Sequence, residues 1–198
     1  MTTTRPSPYS ILLPPGWVRL AVDGTTSHTF QTLINSVVER APVERHASLR
    51  AMLERTVRGA LDAATSRDAL DLILSFASVE GLPIPVSIAT FPVPPPAQDA
   101  RTPLETLIGL AQSGSRAIEI DGLAAIRRSI DVPAADDSPA HRSVNFVCHV
   151  PWLDQWLLFS ASILTSDEPG YEVVLTALEG LVDAMISTVR FRREEGAV

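Results

Sequence analysis

Between Ala117 and Leu164 the chain reads as strand after strand, and this run constrains the fold more than any other feature. Ala117 to Ile120, the Asp121-Gly122 pair and Leu123 to Val132 predict a hairpin. Asp-Gly suits a type I′ turn, in which both central residues take positive φ. After a surface loop at Ala134 to Ala140, Val144, Phe146, Cys148 and Val150 alternate with Ser143, Asn145, Val147 and His149, as a strand with one buried face should. Trp156 to Leu164 supplies the last long strand. Strands in adjacent hairpins, without regular β-α-β alternation, predict an α+β fold: a mostly antiparallel sheet with helices packed on it.

The helices that would cover such a sheet are legible on either side of the run. Phe30, Leu33, Ile34, Val37, Val38 and Ala41 follow the spacing of an amphipathic helix, with Ser27 or Thr26 as its N-cap. Beyond Pro42 a second helix carries Leu49, Leu53, Val57, Ala60, Leu61 and Ala64, while Glu54, Arg58 and Asp62 lie four apart on its solvated side. Thr102 and Glu105 form a capping box around Pro103, starting a short helix that ends near Ser113-Gly114. A closing helix puts Val174, Ala177, Leu178, Leu181, Met185, Thr188 and Val189 on one stripe, with Arg190, Arg192 and Arg193 to complement its C-terminal dipole.

Three further strand pieces are expected. Ile11 to Leu13, the Pro14-Pro15-Gly16 turn and Trp17 to Val22 read as a hairpin or bent strand. Leu70 to Ser78 and Ile84 to Phe91 are strand-like around Gly81, although Asp68-Ala69-Leu70 could equally extend the preceding helix. The Pro-rich Phe91 to Pro96 is expected to leave the sheet, at an edge or in a loop, because proline cannot donate to a ladder.

Length and composition then bound the assembly. At 198 residues one domain is expected over residues 9–192, with tails at 1–8 and 193–198. With 45% hydrophobic residues, a chain of this size can bury about 70% of its extended surface without staples. Cys148 is the single cysteine, so an intrachain disulfide and a cysteine zinc cluster are excluded, and a reducing, cytoplasmic setting is expected. Tyr9 to Leu13 is stopped by Pro14 and Pro15, too soon for a signal-peptide core, and no apolar stretch reaches the ~20 residues that span a bilayer. The formal net charge is −7 and all 16 basic residues are arginine, interleaved with acids. Without a basic face, nucleic acid is a poor partner.

As a pattern, the chain resembles a known group. The segments Leu13-Pro14-Pro15-Gly16-Trp17, Ile120-Asp121-Gly122-Leu123-Ala124-Ala125-Ile126-Arg127-Arg128, Leu157-Leu158-Phe159-Ser160 and Val182-Asp183-Ala184-Met185-Ile186-Ser187-Thr188-Val189-Arg190 are similar to uncharacterised actinobacterial proteins of the PsbP/Mog-like sandwich. The resemblance implies that fold and, since some such proteins accompany type VII secretion systems, an accessory role there. It implies no catalytic residue.

There is no G-x-S-x-G elbow, and Cys148 falls on the apolar side of its strand, where thiolate formation is disfavoured. His28, His46, His141 and His149 show no metal-ligand spacing, and no glycine-rich phosphate loop follows a strand, so no metal or cofactor is expected. His149, Asn145 and Ser143 share the polar side of their strand. Asp121, Asp131, Asp136 and Asp137 have turn or loop explanations. The reading is non-enzymatic, with a protein partner met through Trp152, Trp156, Arg127 or Arg128. Trp156 is expected mainly to pack in the core, Trp152, nearer the turn, is the more open of the two to partner contact, and whichever arginine points inward needs an acidic neighbour. A binding or adaptor module leads, followed by a small-ligand carrier or enzyme with a pocket between sheet and helices, and by an immunity protein.

Overall fold

The computed structural model describes residues 7–22, 27–39, 42–79, 82–95, 102–135 and 139–193. The strands are β1 (Tyr9–Ser10), β2 (Trp17–Ala21), β3 (Asp71–Ser75), β4 (Ser78–Val79), β5 (Leu82–Pro83), β6 (Val86–Val93), β7 (Arg116–Ile120), β8 (Leu123–Val132), β9 (His141–Val150), β10 (Gln155–Leu164) and β11 (Arg190–Phe191). Among the described residues four α-helices accompany them: α1 (Ser27–Val38), α2 (His46–Thr65), α3 (Pro103–Gln112) and α4 (Tyr171–Ser187). Seven strands form one antiparallel sheet in the order β2-β3-β6-β10-β9-β8-β7. The α+β architecture expected from the hairpin run is the one observed.

Alternation decides which side chains meet which helix. On one face, Ile73, Ile88, Ala125, Val144, Phe146, Cys148, Leu157, Phe159 and Ala161 pack with Leu175, Leu178, Val182, Met185 and Ile186 of α4. Burying each large apolar side chain there contributes about 1.5–3 kcal/mol. On the opposite face, α1 and α2 cover the β2–β3 end through Leu20, Ile34, Val38 and Val57. There α3 covers the other end through Leu107, which meets Ile126 and Trp156. Between them lie half-buried Ser87, Ser143, Asn145, Ser160 and Ser162.

Several local expectations match. Asp121 and Gly122 take φ of 51° and 77°, giving the β7–β8 turn its I′ form. The capping box is made in both directions: Glu105 N–H donates to Thr102 Oγ1 at 3.3 Å, and Thr102 N–H donates to Glu105 Oε2 at 2.8 Å. Helix α2 stops at Thr65 and β3 runs from Asp71 to Ser75, so the strand-like reading of this segment prevails over helix extension. Helix α1 begins at Ser27; Thr26 and Ala41 lie outside the described residues.

Other expectations are corrected. The N-terminal piece is not a hairpin: Gly16, at φ 82°, still makes the turn, but β1 pairs with β11 and β2 with β3. The turn also lies close against Ala77, in the link between β3 and β4, since a Cβ at Gly16 would lie 3.0 Å from that of Ala77. Phe91, Pro92 and Val93 do not leave the sheet but pair with Leu158, Leu157 and Trp156. Thr90 turns its carbonyl toward Leu70, so by alternation Pro92 turns its missing N–H to the same side, where β3 has already ended. The buried stripe of α4 is shifted: Leu178 and Met185 belong to it, but Val174 is exposed and Leu175, Val182 and Ile186 are inside. The helix has apolar residues on more than one side, so spacing alone could not choose. It also ends at Ser187; Arg190 does cap it, donating to the Ser187 carbonyl at 3.1 Å, while Arg192 and Arg193 lie beyond β11.

Candidate functional site

The four side chains singled out from the sequence do not converge. Arg127 sits on the α4 face, where Nε donates to Asp183 Oδ1 at 2.7 Å and Nη2 to Glu179 Oε2 at 2.5 Å. Arg142 joins it through Glu179 Oε1 at 3.0 Å and Asp131 Oδ1 at 2.7 Å. The inward arginine thus has the acidic partners it requires. Burial alone would push Glu179 up, yet hydrogen bonds from both guanidinium groups hold its carboxyl below the ordinary value. Asp131, expected to have only a turn or loop explanation, is a strand residue of this network.

Arg128 projects from the opposite face beside Asn145 and is exposed. Trp156 is buried under α3, 5.3 Å ring to ring from His149, as core packing required. Trp152 stands at a corner, 36% exposed; its Nε1–H donates to the Arg192 carbonyl at 2.8 Å and Arg193 lies 4.9 Å over its ring. Cys148 is fully buried and its thiol is pushed up to about 12 by that burial.

One polar cluster escaped the sequence reading. Tyr9, wholly buried, donates to Asp71 Oδ1 at 2.7 Å and shares a 2.6 Å hydrogen bond with Thr90 Oγ1. Arg19 pairs with Asp71 Oδ2 at 2.5 Å, bonds Ser7 Oγ and lies 4.0 Å over the Tyr9 ring. Burial, with Asp71 adding to it, raises the phenol far above its ordinary value. Every polar side chain in this cluster has partners, and what it does is pin the first described segment to the sheet. The other end is tied too: the Pro8 carbonyl accepts from Arg192 N–H at 2.8 Å, and Asp121 Oδ2 accepts from Phe191 N–H at 2.9 Å.

The open chemistry lies elsewhere, at the β7 edge. Between α3 and the β7–β8 hairpin is a cleft of about 360 Å³, lined by Leu104, Leu107, Ile108, Ala111, Ala117 and Ala124 among others. Alanine at 111, 117 and 124 is what leaves the space, because a larger side chain at any of them would fill it. Leu104 is 58% and Ile108 49% exposed at its rim. Leu104, Leu107, Ile108 and Ala111 follow the i, i+3, i+4, i+7 spacing of one amphipathic stripe, so the sequence marks an apolar face on α3 but not that the sheet leaves part of it uncovered. Among the described residues strand β7 pairs only with β8, and Arg116 and Glu119 on it are exposed without a charged partner.

Among the described residues no group of three or more His, Cys, Asp or Glu could hold a metal ion, and no helix is long and apolar enough to cross a membrane. No protein-family model matches the chain. No curated protein sequence matches it. Among solved structures it is similar to the solution structure of cyanobacterial PsbP (CyanoP) from Synechocystis sp. PCC 6803, at 11% identity and a TM-score of 0.44, over 93% of this chain and 87% of that one.

Proposed function

We propose that this chain is a noncatalytic protein-binding or adaptor module whose partner meets the cleft between α3 and β7. One observation carries the reading: an apolar cleft with two large exposed side chains, Leu104 and Ile108, opens beside a strand edge that no described residue pairs. Exposed apolar surface that adjoins unsatisfied backbone groups is what an interaction site presents before its partner arrives. A type VII secretion component as that partner is the narrower form of the proposal, supported by the sequence resemblance alone.

The test is site-directed photocrosslinking in cells. A crosslinker at position 108 should yield a discrete heteromeric adduct, and one at Met52, equally exposed on α2, should not. Failure at 108, or equal labelling from both positions, would overturn the reading. The cleft volume also favours a second reading, carriage of a small apolar ligand, since ligand pockets begin at about 300 Å³. That reading requires a small molecule to copurify and to be displaced by Ala117→Leu.

A further inference from the structure

We propose, building on the protein-binding reading, that the partner enters as an extended segment adding antiparallel to β7, with a basic residue followed three positions later by an acidic one. The backbone sets the mode. A two-residue turn makes Ile120 and Leu123 the hydrogen-bonded pair that closes the hairpin, so Ile118 and Arg116 also turn their N–H and C=O groups to β8. Ala117 and Glu119 therefore turn theirs outward, where no described residue meets them. An extended chain is the partner that answers both donors and both acceptors at strand spacing.

Charge sets the sequence. Arg116 shares a face with Ile118, and Glu119 shares the other with Ala117 and the cleft. Running antiparallel, a segment of the form base-apolar-apolar-acid places its base opposite Glu119 and its acid opposite Arg116. Its first apolar residue then lies beside Ile118, and its second beside Ala117 at the cleft. Both charges find partners and one side chain enters the cleft.

The same charges argue against a second copy as the occupant. A closed pair of β7 edges needs a two-fold axis normal to the sheet, which keeps every residue on its own face. Residues opposite each other must then be an even number apart in sequence. Arg116 and Glu119 are three apart, so they never meet in such a dimer. Edge charges placed this way deter self-pairing while remaining available to a foreign strand.

A displayed library of random dodecapeptides, selected on the full chain, tests this. The wild type should enrich base-apolar-apolar-acid, and the double variant Arg116→Glu/Glu119→Arg should enrich the reverse, with a preference of about ten-fold for two cross-strand charge pairs. Glu119→Pro removes one outward donor and leaves the ladder to β8 intact, so it should abolish enrichment while a thermal melt shows the fold retained. No enriched motif, a motif indifferent to the charge swap, or acid-apolar-apolar-base on the wild type would each overturn the proposal. If Ile108→Asp alone abolishes selection and neither the swap nor the proline matters, strand addition fails while the cleft reading stands.

Discussion

Helices α3 and α4 pack on opposite faces of the same β7–β8 hairpin and leave it in different states. Helix α4 buries five apolar side chains and is tied down by Arg127 and Arg142 through Glu179 and Asp183. Helix α3 buries Leu107 and Thr106, stands off over alanines and leaves Leu104 and Ile108 exposed. One interface is closed and holds the fold together; the other is open. On the proposed reading, sequence invested in stability and sequence left for binding are thereby separated across a single sheet.

The largest break in that contrast comes from the closed side. Phe146→Ala removes a wholly buried ring beneath Arg127, and a loss of about 3–5 kcal/mol is expected in urea unfolding. Next, Arg127→Ala leaves Asp183 without its cation and Glu179 with Arg142 alone, and about 2–3 kcal/mol should be lost, less than for a fully buried pair because some water reaches it. A double-mutant cycle with Asp183→Asn should show coupling. On the open side, Thr102→Ala removes the cap of α3 and should cost about 1 kcal/mol. Ile108→Ser, at the cleft rim, should change stability by no more than about 0.5 kcal/mol while abolishing partner capture.

Acid sharpens the same comparison. The folded-state value of Glu179 is depressed, so its stabilisation is full above the ordinary glutamate value of about 4.3 and fades as pH falls from there through the lower folded one. Chemical-shift changes in α4 should therefore accompany acid titration in that window, and Glu179→Gln should remove this part of the pH dependence.

Much of this frame was legible because its signals are local. Asp121-Gly122 specified a turn, Thr102 and Glu105 a helix start, and the alternation through Val144, Phe146, Cys148 and Val150 a buried strand face. Missing from the sequence reading were pairings between distant segments. Tyr9 meets Phe191 and Asp71, and no spacing near any of them announces the others. Pro92 was placed outside the sheet by a rule that is right for central strands; its exemption depends on where β3 ends. The cleft was hidden for a related reason, since alanine at 117 and 124 reads as ordinary strand filler until α3 is seen to stand above it.

Amide hydrogen exchange of the free protein, resolved residue by residue along β7, tests the open edge most directly. Ala117 and Glu119 should exchange rapidly while Ile118, bonded to β8, is protected to nearly the global unfolding limit. Equal protection at Ala117, Ile118 and Glu119 would mean that the edge is already covered, and would contradict the account.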